Sequence, residues 1–365
     1  MKTICIDARL WGISHTGIGR YVENLIDFLP EDPKVRVVLI VSPADVNEPK
    51  LAGFKKFVAG YHPYTLMSQL EMLKLWFQIR PELFHATHSS IPVLWPGRMV
   101  VTFHDLIRHL SHGRDSTTKN YSFYKIKYIG YLLVDRIALI RAKKILVPAE
   151  FWANEIIHRF GISRSKIQVT YEGVDRHIKI TGHGKSFGMP KPFVVYTGNL
   201  YPHKNIPVLL NAIRLLNGRV SLALVGARSA FTEKAKEMIS RLGVSRQVHL
   251  LGKLTDEELS QLYAKASAFV FPSLIEGFGL TGLEAMAVGL PVIAANASCL
   301  PEIYGHAAVY FDPANPVDLS QKIIRLVSDR RLNKLFRMKG LEKVKSYSWS
   351  EMAEKTWQIY LQELP

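Results

Sequence analysis

Cysteine is nearly absent from this chain: Cys5 and Cys299 are the only two in 365 residues. Two thiols cannot build the disulfide framework of a small secreted domain, nor a zinc site made of cysteine ligands. Long apolar runs are missing too. Nothing approaches the ~20 apolar residues that span a bilayer, and the best stretch, Ile129 to Ile140, is broken by Asp135 and Arg136. The first ten residues include Asp7 and Arg9, so they lack the apolar core of a signal peptide, and the expected location is cytoplasmic. Acidic residues are the minority charge, 31 against 47 Lys and Arg, which leaves a net +16.

Hydrophobic residues make up 48%, enough to bury a large core and to exclude disorder. The positive charge calls for an anionic partner: nucleic acid, an acidic membrane or a phosphorylated small molecule. Residues 1–190 carry net +10 and residues 191–365 net +6, and the densest basic stretch is Lys119 to Lys144, with seven cations and one acid. No zinc-finger spacing or RNA-binding aromatic signature accompanies it, so no specific nucleic-acid partner is expected. Plain solubility is the competing explanation.

Short Val/Ile-rich runs alternate with helix-period segments. Strands are expected at 3–8, 35–41, 83–86, 99–103, 145–148 and 167–171, then again at 193–197, 220–225, 248–251, 268–271, 291–294 and 308–311. This alternation implies parallel sheets with helices on both faces, an α/β architecture. Four glycines and no periodicity make 173–192 a linker. The expectation is a doubly wound domain at 1–172 and a second at 193–348, each presenting its carboxyl-end loops to a central cleft. A final helix at about 349–365 can pack on either lobe.

The stretch Pro272 to Val292, PSLIEGFGLTGLEAMAVGLPV, is the most informative. A loop with Glu276, Gly277, Phe278 and Gly279 follows a strand, and a helix begins near Leu280. Glycines at a helix N-terminus let backbone N–H groups approach an anion, which the helix dipole also favours. A carboxylate can accept from two vicinal hydroxyls, the demand made by a sugar or a ribose. Taken alone, Glu276 and Glu284 with seven residues between them fit a glycine-rich turn beside an ordinary surface acid better than a sugar site, because that spacing is common.

The wider stretch, EGFGL, the second Glu, AMA, Gly289 and the Pro-Val of the next strand, resembles the signature of retaining glycosyltransferases of the GT-B fold, family GT4. Other segments agree. HTGIGRY holds Gly17 and Gly19, which the resemblance places in a loop facing the donor phosphates. TFHDL puts His104 after a strand, where the family has a histidine near the donor sugar. In TGNLYPHKN, Lys204 matches a lysine that contacts the diphosphate. Relatives often add an arginine where this chain has Asn199 or His203, so a protonated His203, or a residue elsewhere, is expected to supply that cation. LLGKL, ending at Lys253 and Leu254, matches the segment whose backbone meets the nucleotide base. The final YSWSEMAEKTWQIY resembles a carboxyl-terminal helix that crosses back onto the first domain.

The resemblance implies transfer of a sugar from a nucleoside-diphosphate sugar to a glycan or lipid-linked acceptor, with anomeric configuration retained. Glu276 holds donor-sugar hydroxyls, Glu284 the ribose, and Lys204 with the Gly277–Leu280 amides the leaving diphosphate. A phosphate oxygen takes the acceptor's proton, so no protein base is required. The chain has no Asp-x-Asp triplet, and neither a metal nor another cofactor is expected. Mannose from GDP-mannose is the leading donor on overall resemblance to bacterial mannosyltransferases. Two alternatives stay open: a UDP-sugar donor such as UDP-glucose, and a non-catalytic nucleotide-sugar- or nucleic-acid-binding protein.

Residues 120–142 form a helix with two apolar-compatible sides. Ile126, Ile129, Leu133, Ile137 and Ile140 form a stripe expected to face the core. Tyr121, Tyr124, Tyr128 and Tyr131 lie nearly opposite and, with Lys125, suit either an anionic membrane interface or a second packing face.

Overall fold

The computed structural model describes residues 1–12, 16–113, 120–174, 187–226 and 230–365, and of Thr16 and Ala230 the backbone alone. Two compact units divide the chain: Met1–Leu106, Lys119–Gly173 and Ser348–Pro365 form the first, and Ile107–Thr118 with Val174–Tyr347 the second.

In the first unit the strands are β1 (Lys2–Asp7), β2 (Val35–Val41), β3 (Lys55–Val58), β4 (Leu83–Ala86), β5 (Met99–Thr102), β6 (Lys144–Val147) and β7 (Ile167–Val169). They pair in the order β3-β2-β1-β4-β5-β6-β7, all parallel. Central strands such as Leu83–Ala86 are buried at every residue, which is why they read as continuous apolar runs. β3 was not among the expected strands. It is the sheet edge, and its Lys55-Lys56 pair carries the charge that blunts an edge, which hides it from an apolar-run search. The connecting helices are α1 (Thr16–Asp27), α2 (Leu66–Ile79), α3 (Ile107–Leu110), α4 (Tyr121–Arg141) and α5 (Glu150–Phe160), of which α3 falls in the second unit.

One expectation is inverted in α4. Ile126, Ile129, Leu133 and Ile140 are 71, 65, 59 and 60% exposed, while Asp135, Ala138 and Leu139 are its buried residues. The four tyrosines are half-buried on the same side as Asp135, two successive pairs of them stacked with centroids 6.0 and 5.9 Å apart. The side turned inward is the one that carries Asp135, Ala138 and Leu139, so Ile137 is half-buried at its border and Ile140 stays exposed even in the last turn. The helix also outruns its neighbours: twenty-one helical residues extend ~31 Å at ~1.5 Å per residue, whereas the four-residue strands beside α4 cover ~13 Å.

The second unit has β8 (Phe193–Thr197), β9 (Ser221–Val225), β10 (Val248–Gly252), β11 (Ala268–Phe271), β12 (Val292–Ala295) and β13 (Ala308–Phe311). Their order is β10-β9-β8-β11-β12-β13, again all parallel. Around them lie α6 (Ile206–Leu215), α7 (Ala230–Arg241), α8 (Asp256–Lys265), α9 (Leu280–Ala287), α10 (Leu300–Tyr304), α11 (Pro316–Ser328) and α12 (Arg330–Lys343). Each sheet reverses its strand order once, between β1 and β4 and between β8 and β11. Loops leaving the carboxyl ends of strands diverge at such a point and open a crevice.

The last helix, α13 (Trp349–Glu363), belongs to the first unit and packs on α1. It buries Trp349, Met352, Trp357 and Tyr360. The Tyr360 hydroxyl meets Nδ1 of His85, whose Nε2 lies 2.8 Å from Thr102 Oγ1. Burial lowers His85 to about 3, so this core histidine is neutral. A Cβ on Gly173 would lie 2.2 Å from the Trp349 amide, so a bare glycine lets the two segments meet.

Candidate active site

In the second unit the candidate side chains come from both sides of the strand-order reversal. Lys204 ends a tight turn, Pro202–Lys204, after β8, and Glu276 sits in the loop after β11. Lys204 Nζ donates to Glu276 Oε1 at 2.6 Å, with side chains only 13 and 9% exposed. The loops are also joined through backbone, since the Leu274 amide donates to the His203 carbonyl at 2.8 Å.

Glu276 is held by residues that sequence reasoning passed over. The Ser298 hydroxyl accepts from the Glu276 amide at 3.1 Å, and the Cys299 thiol donates to the Glu276 carbonyl at 3.2 Å. Ser298 adopts a left-handed conformation, φ 53°. Burial pushes the Cys299 thiol well up, keeping S–H available as a donor. Both residues follow β12, and no local pattern in the sequence connects that turn to Glu276.

The helix start has a packing reason for its glycines. Gly279 caps α9 at φ 94° with no side chain to occupy the first amides. The Tyr304 hydroxyl donates to the Gly279 carbonyl at 2.6 Å, and a Cβ on Gly282 would lie 2.1 Å from that hydroxyl. An anion can therefore be met by the main-chain N–H groups at Leu280 and Thr281, ahead of Gly282 and Leu283, whose amides donate to the Gly279 carbonyl. Glu284 is buried one turn into the helix, 4% exposed. The Phe278 ring is buried edge-on against Tyr347, centroids 5.3 Å apart, and Gly277 beside it is half-buried.

The β8 loop holds Asn199 and His203, which the resemblance assigns to the donor. The Tyr196 hydroxyl donates to the Asn199 carbonyl at 2.6 Å, leaving the Asn199 side chain exposed. His203 does not supply the cation expected of it. Burial, and then the charge of Lys204, lower its pKa to about 4 against the opposing pull of Glu276, so the imidazole is neutral near pH 7. A depression of about 360 Å³ opens where β9 and β10 end, lined by Leu224, Gly226, Leu250, Leu251 and Gly252 among others. Lys253, exposed, and Leu254, half-buried, follow its rim.

In the first unit, polar groups gather at the β1/β4 reversal. Arg9 donates to both carboxylate oxygens of Asp7, at 2.8 and 2.6 Å, and to Ser68 at 2.6 Å. Burial pushes the Asp7 carboxyl up, but the Arg9 charge and hydrogen bonds, with help from His88, override it and hold Asp7 well below the usual range. His104, after β5, places Nε2 2.9 Å from the Thr87 carbonyl and Nδ1 3.4 Å from Glu172, with the Tyr21 ring edge-on at 4.7 Å. The ring is positioned by the closer of these two contacts, the one to the Thr87 carbonyl. Thr87, Glu172 and Tyr21 were not foreseen, because their meeting depends on strand order and not on sequence proximity. Gly17 and Gly19 lie in the first turn of α1 and not in a loop as expected, Gly17 exposed and Gly19 buried. Residues 13–15 of the same motif fall outside the described residues. Tyr121, Tyr124, Lys125, Tyr128 and Tyr131 sit on the overhanging part of α4, away from these groups in the chain.

Two family models match, Glycosyltransferase Family 4 over residues 15–177 and Glycosyl transferases group 1 over residues 183–343. An O-antigen chain mannosyltransferase B of Escherichia coli is 30% identical over 277 residues, 72% of this chain and 70% of that protein. A D-inositol 3-phosphate glycosyltransferase of Streptomyces bingchenggensis is 28% identical over 243 residues, 61% of this chain but only 53% of that protein's length. Among solved structures, Anabaena Alr3699/HepE in complex with UDP and glucose superposes with a TM-score of 0.76 at 18% identity, covering 99% of this chain and all of that one. With two parallel-sheet α/β units of the GT-B type and both halves matched, the chain belongs to the group 1 glycosyltransferases, family 4.

Proposed function

We propose that this glycosyltransferase moves a hexose from a nucleoside-diphosphate sugar to a glycan or lipid-linked acceptor, retaining the anomeric configuration and requiring no metal. The observation that carries the reading is the Lys204–Glu276 pair at the strand-order reversal. As the donor's anomeric carbon becomes cationic, negative charge grows on the departing diphosphate. Lys204 and the amides at the start of α9 stabilise that charge. Glu276 accepts from donor-sugar hydroxyls and Glu284 from the ribose. Gly17 and Gly19 at the start of α1 and a neutral N–H of His203 are assigned to phosphate oxygens, and His104 to a sugar hydroxyl. The depression beyond β9 and β10, with Asn199, Lys253 and Leu254 about it, takes the base. The acceptor's proton passes to a phosphate oxygen.

Mannose from GDP-mannose is the leading donor, supported by the likeness to the O-antigen mannosyltransferase. A UDP-sugar is the second reading, favoured by the structural neighbour that holds UDP and glucose. A non-catalytic binding role fits poorly with a carboxylate and a lysine kept paired in a largely buried site, where burial of charge is costly without a purpose. Among the described residues no helix is long and apolar enough to cross a membrane, and we place the enzyme in the cytoplasm, peripherally on an anionic membrane face where a lipid-linked acceptor is met.

Thermal-shift screening against GDP, UDP, ADP and their sugars, with excess EDTA present, tests the donor. A rise in melting temperature with GDP and GDP-mannose is expected. Stabilisation by UDP and its sugars instead selects the second reading, and stabilisation by none of them overturns the assignment of the site. The anomeric configuration of the product, read by NMR, tests retention.

A further inference from the structure

The four most exposed aliphatic side chains of α4 project from its outer side, and Phe123 joins them at half exposure. On a helical wheel of 100° per residue these five occupy one sector. Lys125 and Arg136 flank it on one edge and Lys127 on the other, where Arg141 is half-buried and tied to main-chain carbonyls. Asp135, the single acid in the helix, points the opposite way and is fully buried. Lysines at such borders can lay their stems along apolar surface while keeping their charge in a polar layer. Lys127 Nζ already sits 4.6 Å above the Phe123 ring.

The surface continues onto a second helix. α2 links β3 to β4 and α4 links β5 to β6, so both connections travel the same way across the sheet, and right-handed crossovers place them on one face. The loop between β4 and β5 binds them together. Gln69 of α2 donates to the Ile91 carbonyl at 3.3 Å and accepts from the Val93 amide at 2.6 Å. Arg141 of α4 donates to the Val93 and Trp95 carbonyls. Leu94 stands exposed between these anchors, and Leu66, Met67 and Leu70 are exposed on α2.

We infer that this face of the first unit, the exposed apolar strip of α4 with the exposed side chains of α2 and Leu94, docks on an anionic lipid bilayer. The charge selects the occupant. Two basic borders around an apolar strip match a layer of lipid phosphates above acyl chains, with the helix lying in the interface plane. A second copy of the same face would bring cations against cations. The inference deepens the reading of a lipid-linked acceptor, and because its test uses no sugar the two can fail separately. It also relocates the contact from the tyrosine side of α4 to the isoleucine side.

The full-length protein is sedimented with vesicles of equimolar phosphatidylglycerol and phosphatidylcholine, and with phosphatidylcholine alone. Binding to the first and not the second is expected, weakening with salt. Ile126→Glu/Ile129→Glu/Leu133→Glu should lower partitioning by about tenfold or more, with nucleotide-induced thermal shifts unchanged. The charge-matched control Leu335→Glu/Met338→Glu/Leu341→Glu, on exposed positions of α12, should bind like wild type. Ile129→Cys labelled with an environment-sensitive dye should brighten only on anionic vesicles. Four results overturn the inference: no wild-type binding to anionic vesicles, equal loss in both triple variants, no change in the first, or a dark label. Self-association removed by the first triple variant, without vesicle binding, would assign the face to a second copy and overturn it too.

Discussion

Lys204 Nζ and Glu276 Oε1 stand 2.6 Å apart across 72 residues of sequence, and the two loops that carry them leave β8 and β11, adjacent strands whose connections run in opposite directions. A lysine here offsets the cost of burying a carboxylate beside it, and in the proposed reaction it also offers a point charge to the diphosphate. On that proposal the pair works as one unit.

Glu276→Gln keeps the shape and removes the charge. It should lower kcat by about 100-fold or more, and Lys204→Ala by a similar factor. The double variant should be little worse than either single, because removing one partner already disables the unit. Initial rates for the three variants decide this. Multiplying losses would mean that the two side chains work independently.

Acid should weaken the fold through its buried histidines. His85 and His203 are lowered by burial from 6.5 to about 3 and about 4. Below pH ~6.5 the unfolded chain takes up protons that the folded chain excludes, so stability is lost as pH falls from ~6.5 toward those values. His85→Gln, which can still bond to Thr102 and Tyr360, should flatten the loss. Urea midpoints at pH 7 and pH 5 measure it. An equal drop in wild type and variant would remove His85 from the account.

Two glycines should respond oppositely to alanine. At Gly282 the added Cβ meets the Tyr304 hydroxyl at 2.1 Å, and that hydroxyl is fixed on Gly279. Gly282→Ala should cost about 1–3 kcal/mol and weaken nucleotide binding, because the start of α9 must shift. At Gly130, exposed in α4, a Cβ meets nothing within 4 Å. Gly130→Ala should raise stability by about 0.5–1 kcal/mol. Denaturation midpoints of both variants against wild type test the contrast.

Much of the architecture is legible from residue order alone. Buried parallel strands advertise themselves as apolar runs, and the loop around Glu276 stands out because glycine, acid and helix start coincide. What escaped notice depends on long-range meeting. Ser298 and Cys299 reach Glu276 only because β12 lies beside β11, and Glu172 reaches His104 only through the sheet. The isoleucine row of α4 misled for another reason. Helical periodicity reports that one side is apolar, and cannot say which side the sheet covers. His203 likewise looks like a cation until its burial is known.

The first unit is assembled from both ends of the chain, with Trp357 and Tyr360 of α13 filling a core begun at β1. On a ribosome adding about 5–20 residues per second, the stretch from Gly173 to Ser348 takes ~10–35 s at that rate. Throughout that interval the nascent first unit lacks its closing helix, whereas most of the second unit emerges in one continuous piece. Synthesis therefore completes the fold that begins first only after the fold that begins second, and truncation near residue 348 would strike the amino-terminal sheet and spare the carboxyl-terminal one.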